Sequence, residues 1–239
     1  MFAALVLFST WIVLGLPVAL IAIPWTLLSR NITFLYRFAL GVVRISLRLA
    51  GIRVRVEGRA ALHSAQPSIF LCNHVSNLDP PVLIPLLPGR VAVFIKRSLL
   101  KIPILGYGMR LANFIPVDRD GRVESAVESV QAAAQVLASG VHILSFVEGT
   151  RSRDGRLQPL KKGPFYLAME TGAPVIPVSI HGTESMMKKG SIKIAPGTAH
   201  VIFHPPLMPR DYASRDNLSA AVRDSIASGL PEWMRCDPR

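Results

Sequence analysis

Two cysteines in 239 residues, Cys72 and Cys236, are too few for a disulfide framework and stand in no metal-binding spacing. Cys72 lies inside an apolar run, as expected of a reduced, cytosol-facing body. No histidine pair shows zinc spacing beside cysteine or acidic ligands, so neither a metal nor any other cofactor is implied. The Gly-x-Ser-x-Gly elbow of serine hydrolases is missing. Acidic residues are scarce, 15 against 27 Lys and Arg, for a net charge of +12. The first 29 positions hold no charge at all. Internal repeats and low-complexity linkers are absent too, and the length suits one α/β domain with an appendage.

The charge-free stretch is longer than the ~20 residues a helix needs to cross a bilayer. It has no basic start and too long an apolar core for a signal peptide. Pro17 and Pro24 interrupt it. Residues 31–50 then read as a second helix with Arg37, Arg44 and Arg48 on one face, suited to an anionic headgroup layer. Two geometries satisfy this pattern: a span followed by a surface helix, or a hairpin dipping into one leaflet. Between Arg30 and Arg119 there are 13 basic and 3 acidic residues. With no basic residue before position 30, a true span leaves the body on the cytoplasmic face of the membrane. A membrane anchor accounts for this charge, so nucleic acid is not an expected partner. Residues 1–50 are therefore read as anchoring helices and 51–239 as the α/β domain.

From Ile52 the pattern becomes strands alternating with helices, which predicts a central mixed sheet flanked by helices. Strands are expected at 52–57, 68–72, 91–95, 113–119 and 141–147. The clearest helix is 122–139, with others at 165–171 and 214–234. Residues 96–111 mix a helix with breaks. Two prolines, Pro174 and Pro177, suggest that the strand over 174–180 is irregular or at an edge. A marginal hairpin is expected from 191–194 and 200–204.

The stretch Asn73-His74-Val75-Ser76-Asn77-Leu78-Asp79-Pro80 follows a buried strand. On one helix, residues five apart diverge by about 140°. A strand end turning into a helix start can instead fold the Asp79 carboxylate back onto the His74 imidazole. That pair would fix the tautomer and leave the other ring nitrogen to accept a proton. The plainer alternative is an Asp helix cap beside an unrelated loop histidine. Cys72 and His74 share a strand face roughly 6.5–7 Å apart, too far for a Cys–His nucleophile. His63, His142, His181, His200 and His204 lack acidic partners and read as structural or surface groups.

A second buried strand runs into Glu148-Gly149-Thr150-Arg151-Ser152, followed by Arg153, Arg156, Lys161 and Lys162. A carboxylate, a hydroxyl and a guanidinium at a strand end suit phosphate binding. A solvated basic loop is the alternative.

Four blocks in order resemble the glycerolipid acyltransferase superfamily, most closely its lysophosphatidic acid acyltransferases. They are residues 73–79 (the His-x4-Asp motif), 114–119, 146–152 and 174–178. Val147 stands where the family usually has proline, and Ala112-Asn113 where a glycine is common. The resemblance implies that His74 deprotonates the free hydroxyl of 1-acyl-glycerol-3-phosphate, oriented by Asp79. It implies direct attack on a thioester of coenzyme A or acyl-carrier protein, giving phosphatidic acid. Arg119 and Arg151 would hold the acceptor phosphate in a pocket shaped by Glu148, Gly149 and Thr150. Asn73, Ser76 and Lys161 complete the expected substrate contacts. Another lysolipid acceptor, such as a lyso-ornithine lipid or lysophospholipid, is the nearest alternative. A non-catalytic basic membrane protein is a remoter one.

Overall fold

Short apolar runs with β-branched residues and glycine stops build seven strands around which the chain is laid. Residues 2–62, 66–118 and 122–235 are described by the computed structural model. The strands are β1 (Ile52–Glu57), β2 (Ile69–Cys72), β3 (Val91–Lys96), β4 (Ile115–Val117), β5 (His142–Phe146), β6 (Val175–His181) and β7 (Gly197–Phe203). They form one sheet in the order β1-β7-β6-β2-β5-β3-β4. The β6–β7 pair is antiparallel and all others are parallel.

Nine α-helices are described: α1 (Phe2–Thr10), α2 (Leu16–Ser29), α3 (Thr33–Leu49), α4 (Asp79–Leu83), α5 (Leu105–Leu111), α6 (Val123–Ala138), α7 (Gly163–Thr171), α8 (Thr183–Met186) and α9 (Arg215–Ser228). Side chains alternate along the buried strands. Phe70 and Cys72 of β2 enter a core shared with α1, α3 and α4, while Ile69 and Leu71 enter another shared with α6, α7 and α9. Such two-sided burial explains why the central strands read as continuous apolar runs.

Two expectations are corrected. The proline-bearing strand is not at an edge, because β6 lies between β7 and β2. A residue's N–H and C=O point to the same side of a strand. Pro177 accepts from the His204 N–H at 3.0 Å, so its missing N–H falls on the β7 side, just past the end of β7 at Phe203. Little of the ladder is lost. The marginal hairpin is absent as well. Residues 191–196 form no strand, and β7 inserts between β1 and β6.

At the N-terminus, α1 and α2 are joined by a wider π turn, Trp11–Gly15, which ends two residues before Pro17. The proline ring and its missing N–H disfavour a regular turn against the Val13 carbonyl, and widening the helix relieves this. Pro24, expected to interrupt, is carried inside α2. The segment Ala3–Ser29 is long and apolar enough to span a membrane. Arg30, with φ 53°, reverses the chain, and α3 returns beside α1 and α2. Arg37 and Arg48 remain exposed, but Arg44 donates to the Pro85 carbonyl at 2.8 Å and so also ties α3 to the sheet domain.

Candidate active site

The loops after β2 and β5 leave the sheet in opposite directions. The chain runs from β2 past β5 to β3, and from β5 past β2 to β6. A crevice opens where such connections diverge, at the C-terminal ends of parallel strands. His74 and Glu148 stand there.

His74 Nδ1 lies 2.8 Å from Asp79 Oδ2. The same oxygen accepts from the backbone N–H of Val75 and of Ser76, each at 2.8 Å. Asp79 Oδ1 accepts from the Thr183 hydroxyl at 2.5 Å. Three donors besides the imidazole converge on this fully buried side chain, which is therefore an acceptor, and toward it His74 Nδ1 is placed as the donor. The lone pair of the neutral ring is then on Nε2. The helix-cap alternative is overturned: Leu78 is the cap position of α4, and the Asp79 carboxylate turns back onto the preceding loop.

The backbone of His74 is held as firmly. Its N–H donates to Glu148 Oε1 at 2.9 Å, and its carbonyl accepts from the Ser152 N–H at 2.8 Å. The imidazole stacks on Phe146, ring centroids 4.1 Å apart. Its side chain keeps 15% exposure, while Asp79 keeps none.

Asn73 and Ser76, expected to touch substrate, are instead buried loop braces. Asn73 exchanges two 2.8 Å hydrogen bonds with the backbone of Ile180, tying the end of β2 to β6. Ser76 Oγ donates to the Met187 carbonyl at 2.8 Å. Glu148 is buried too, accepting from His74 and, at 3.3 Å, from the Gln158 N–H. Burial above all pushes its carboxyl up to about 7, against the pull of those hydrogen bonds. Cys72 is also fully buried, which raises its thiol well above the ordinary range. It is no nucleophile.

Gly149 sits at φ 69° and Thr150 is half-buried. A Cβ on Gly149 would come within 3.1 Å of the Lys161 side chain, which brings that lysine stem to the turn. Arg151 Nη1 is buried without a hydrogen-bond partner among the described residues. Arg119 lies outside them. Its neighbour Asp118 pairs with Arg97, with Nε–O distances of 2.8 and 2.7 Å.

Thr183 and Phe146 escaped sequence reasoning. Thr183 meets Asp79 across 104 positions, and no local spacing announces such a contact. Among the other histidines, His142 accepts from the Ser68 N–H at 3.0 Å, His204 bonds Ser179 at 2.8 Å, and His181 stacks on His200. His63 lies outside the described residues.

The family model termed Acyltransferase matches residues 53–181. A 1-acyl-sn-glycerol-3-phosphate acyltransferase from Limnanthes douglasii is 29% identical over 217 residues, covering 90% of this chain and 75% of the relative. The alpha form from Homo sapiens is 30% identical, covering 97% and 81%. The crystal structure of the 1-acyl-sn-glycerophosphate acyltransferase PlsC from Thermotoga maritima superposes with a TM-score of 0.81 at 27% identity, covering 95% of this chain and 93% of that one.

Proposed function

The chain belongs to the acyltransferase family, and from that premise we propose that it acylates the sn-2 hydroxyl of 1-acyl-sn-glycerol-3-phosphate, forming phosphatidic acid from an acyl thioester. The observation carrying this reading is the 2.8 Å contact between His74 Nδ1 and Asp79 Oδ2, which leaves Nε2 as proton acceptor. Nε2 takes the hydroxyl proton as the oxygen attacks the thioester carbonyl. Asp79 steadies the imidazolium. Collapse of the tetrahedral intermediate breaks the C–S bond, and the leaving thiolate takes the proton back from Nε2. No enzyme nucleophile is needed.

Arg151 meets the acceptor phosphate through its unpartnered guanidinium nitrogen, with Arg119 as the second cation and Lys161 nearby. A guanidinium suits a phosphate because its planar fork can bond two oxygens at once. Glu148 and Gly149 set the course of that loop. Residues 1–50 hold the enzyme on the membrane where the lysolipid resides, with the α/β domain on the cytoplasmic face. The exposed leucines and isoleucines of α2, such as Leu20, Ile21 and Leu28, support this placement.

The test is acyl transfer by the purified full-length protein, with radiolabelled acyl-CoA and acyl-carrier protein offered against a panel of lysolipids. Phosphatidic acid is the expected product. Transfer to lyso-ornithine lipid or a zwitterionic lysophospholipid with lysophosphatidate ignored would overturn the acceptor assignment.

A further inference from the structure

β2, β5 and β3 run parallel, so the segment that follows β3 leaves the same rim of the sheet at which the crevice opens. It turns an apolar surface outward. Of residues 96–105 all but Leu100 are exposed. Leu99, Ile102, Ile104, Leu105 and Tyr107 each keep 37–47% of their surface open. Elsewhere in the α/β domain exposed apolar side chains such as Tyr166 and Ile192 stand apart, which is ordinary. Five within the span 99–107 make a patch.

Two features of the backbone fit this surface to an apolar surrounding. Ile104 takes φ 62° and ψ −60°, a conformation that a β-branched residue avoids, yet nearly half of it stays exposed. Protein packing therefore does not repay that strain in full. The turn also satisfies its own polar groups. The N–H of Ile102 donates to the Leu99 carbonyl at 3.2 Å and that of Leu105 to Pro103 at 2.6 Å. Gly106 donates to Ile102 at 2.8 Å and Gly108 to Ile104 at 2.9 Å. Gly106 has no room for a Cβ against the Leu100 carbonyl, so the turn is tightly closed. Water would not require such closure, whereas hydrocarbon does.

Charge and neighbours select what covers the patch. Lys96, Lys101 and Arg110 are exposed around it, and residues 96–110 contain no acid. An apolar centre with a basic rim matches acyl chains beneath anionic headgroups. At the end of α5, Leu111 and Ala112 pack with Ala22, Leu35 and Tyr36 of α2 and α3. The patch thus adjoins the helices already assigned to the membrane. Those helices are pinned to the sheet, since the Tyr36 hydroxyl accepts from the Val91 N–H at 3.0 Å.

We propose that residues 99–107 insert into the headgroup and upper acyl region of an anionic bilayer as a second contact, made by the α/β domain itself. A helical anchor alone lets a domain tilt about it. Two contacts hold the crevice rim against the lipid surface. This inference rests on the membrane placement of residues 1–50 and adds the orientation of the catalytic domain to it.

The test uses full-length protein in vesicles of equal parts phosphatidylglycerol and phosphatidylcholine. An environment-sensitive fluorophore is placed at Ile102→Cys in a Cys236→Ser background, where only the buried Cys72 remains besides. Leu20→Cys, on the exposed side of α2, is the inserted reference. Ala213→Cys is the aqueous reference: it is exposed and lies past Leu207, which pairs with Val175 at the start of β6, the rim opposite the crevice. Lipids with a nitroxide on the upper acyl chain should quench position 102 about fivefold more strongly than position 213. Adding Ile104→Asp should bring position 102 down to the level of position 213, because a carboxylate resists entry. Aspartate also tolerates positive φ, so the turn is kept. In turnover, Ile104→Asp should lower kcat/KM about tenfold for long-chain lysophosphatidate in vesicles. A short-chain acceptor dissolved as monomer should be used as well as by wild type. Quenching at 102 no greater than at 213, with position 20 quenched, would overturn the second contact and leave the anchor standing. No quenching at position 20 would refute the anchor and the inference together. Quenching at 102 in a protein that acylates no lysolipid would uphold the insertion and refute the reaction.

Discussion

The two loops that meet at the crevice are built on opposite plans. In the loop after β2, the polar side chains of Asn73, Ser76 and Asp79 are buried and hydrogen-bonded to protein, while the imidazole keeps partial exposure and Asn77 faces outward. In the loop after β5, Glu148 is used internally, but Arg151 has an unpartnered nitrogen and Arg153 and Lys161 are exposed. The difference fits the tasks proposed for them. Proton transfer depends on a geometry fixed within a few tenths of an ångström, so its residues are locked by their neighbours. Recognition of a dianion needs donors with free valences, which under the proposed function the unpartnered Arg151 nitrogen and the exposed Arg153 and Lys161 would supply.

The sharpest way to break this comparison is at the locked loop. His74→Ala should lower kcat by about 10²–10⁴-fold with folding intact, since only the base is removed. Asp79→Asn should be similarly impaired: with its oxygen kept toward Val75, Ser76 and the His74 ring, its nitrogen faces Thr183, whose hydroxyl loses its acceptor, and the neutral amide cannot steady the imidazolium. Single-turnover assays of folded protein check both. Near-normal turnover in His74→Ala would dissolve the distinction between the loops.

The open loop should respond in affinity. Arg151→Ala should raise the apparent KM for lysophosphatidate by about 10–150-fold, the range expected for one charge-assisted contact. Arg151→Lys should recover only part of that, because an ammonium lacks the bidentate fork. Saturation kinetics for each substrate separates this from a donor-side defect, which would place the phosphate elsewhere.

Asn73 tests the bracing. Asn73→Ala strands a buried N–H and carbonyl on Ile180, at a cost of about 3 kcal/mol. A melting temperature lowered by about 6–12 °C is expected for a chain of this size. Unchanged stability combined with a raised KM would return Asn73 to the substrate contacts.

Residues whose chemistry is local were legible in the sequence; those whose partners lie far along the chain were not. Alternation gave β1 with its boundaries, and the five-residue spacing of His74 and Asp79 made sense at a strand-to-helix turn. α7 ends at the expected Thr171, where Gly172 takes φ 64°. Asn73 and Ser76, in contrast, read as substrate contacts only through the family resemblance of their block. Their real partners, Ile180 and Met187, are 107 and 111 positions away, and only the order of strands brings them together. The same reason hid Thr183. β6 was misplaced by a sound rule whose exception depended on where its neighbour β7 ends. The side chain of Arg151 was foreseen as a cation at a strand end, but not its unpartnered nitrogen.

The smallest expected effect concerns Glu148, where the two loops touch. Its carboxyl accepts from the His74 N–H, and burial lifts its folded-state value to about 7 from an ordinary 4.5. The folded state therefore holds this proton more tightly than the unfolded chain. Stability from this group is fully present below about pH 4.5 and is lost as pH rises through 7. Between pH 5 and 7 the loss is about 2 kcal/mol, or about 4–8 °C in melting temperature. The buried histidines act in the opposite sense. Burial lowers the values of His142 and His204, so both favour the folded state as pH rises through their ordinary range. The wild-type melting curve mixes these contributions, and Glu148→Gln isolates one. The variant starts less stable, because its amide nitrogen cannot accept from Gln158. Its melting temperature should nevertheless rise relative to wild type across pH 5–7. Parallel pH profiles for the two proteins would mean that Glu148 is ionised throughout that range. The His74 backbone would then be held by a full charge, and the locked loop would rest on electrostatics more than on burial.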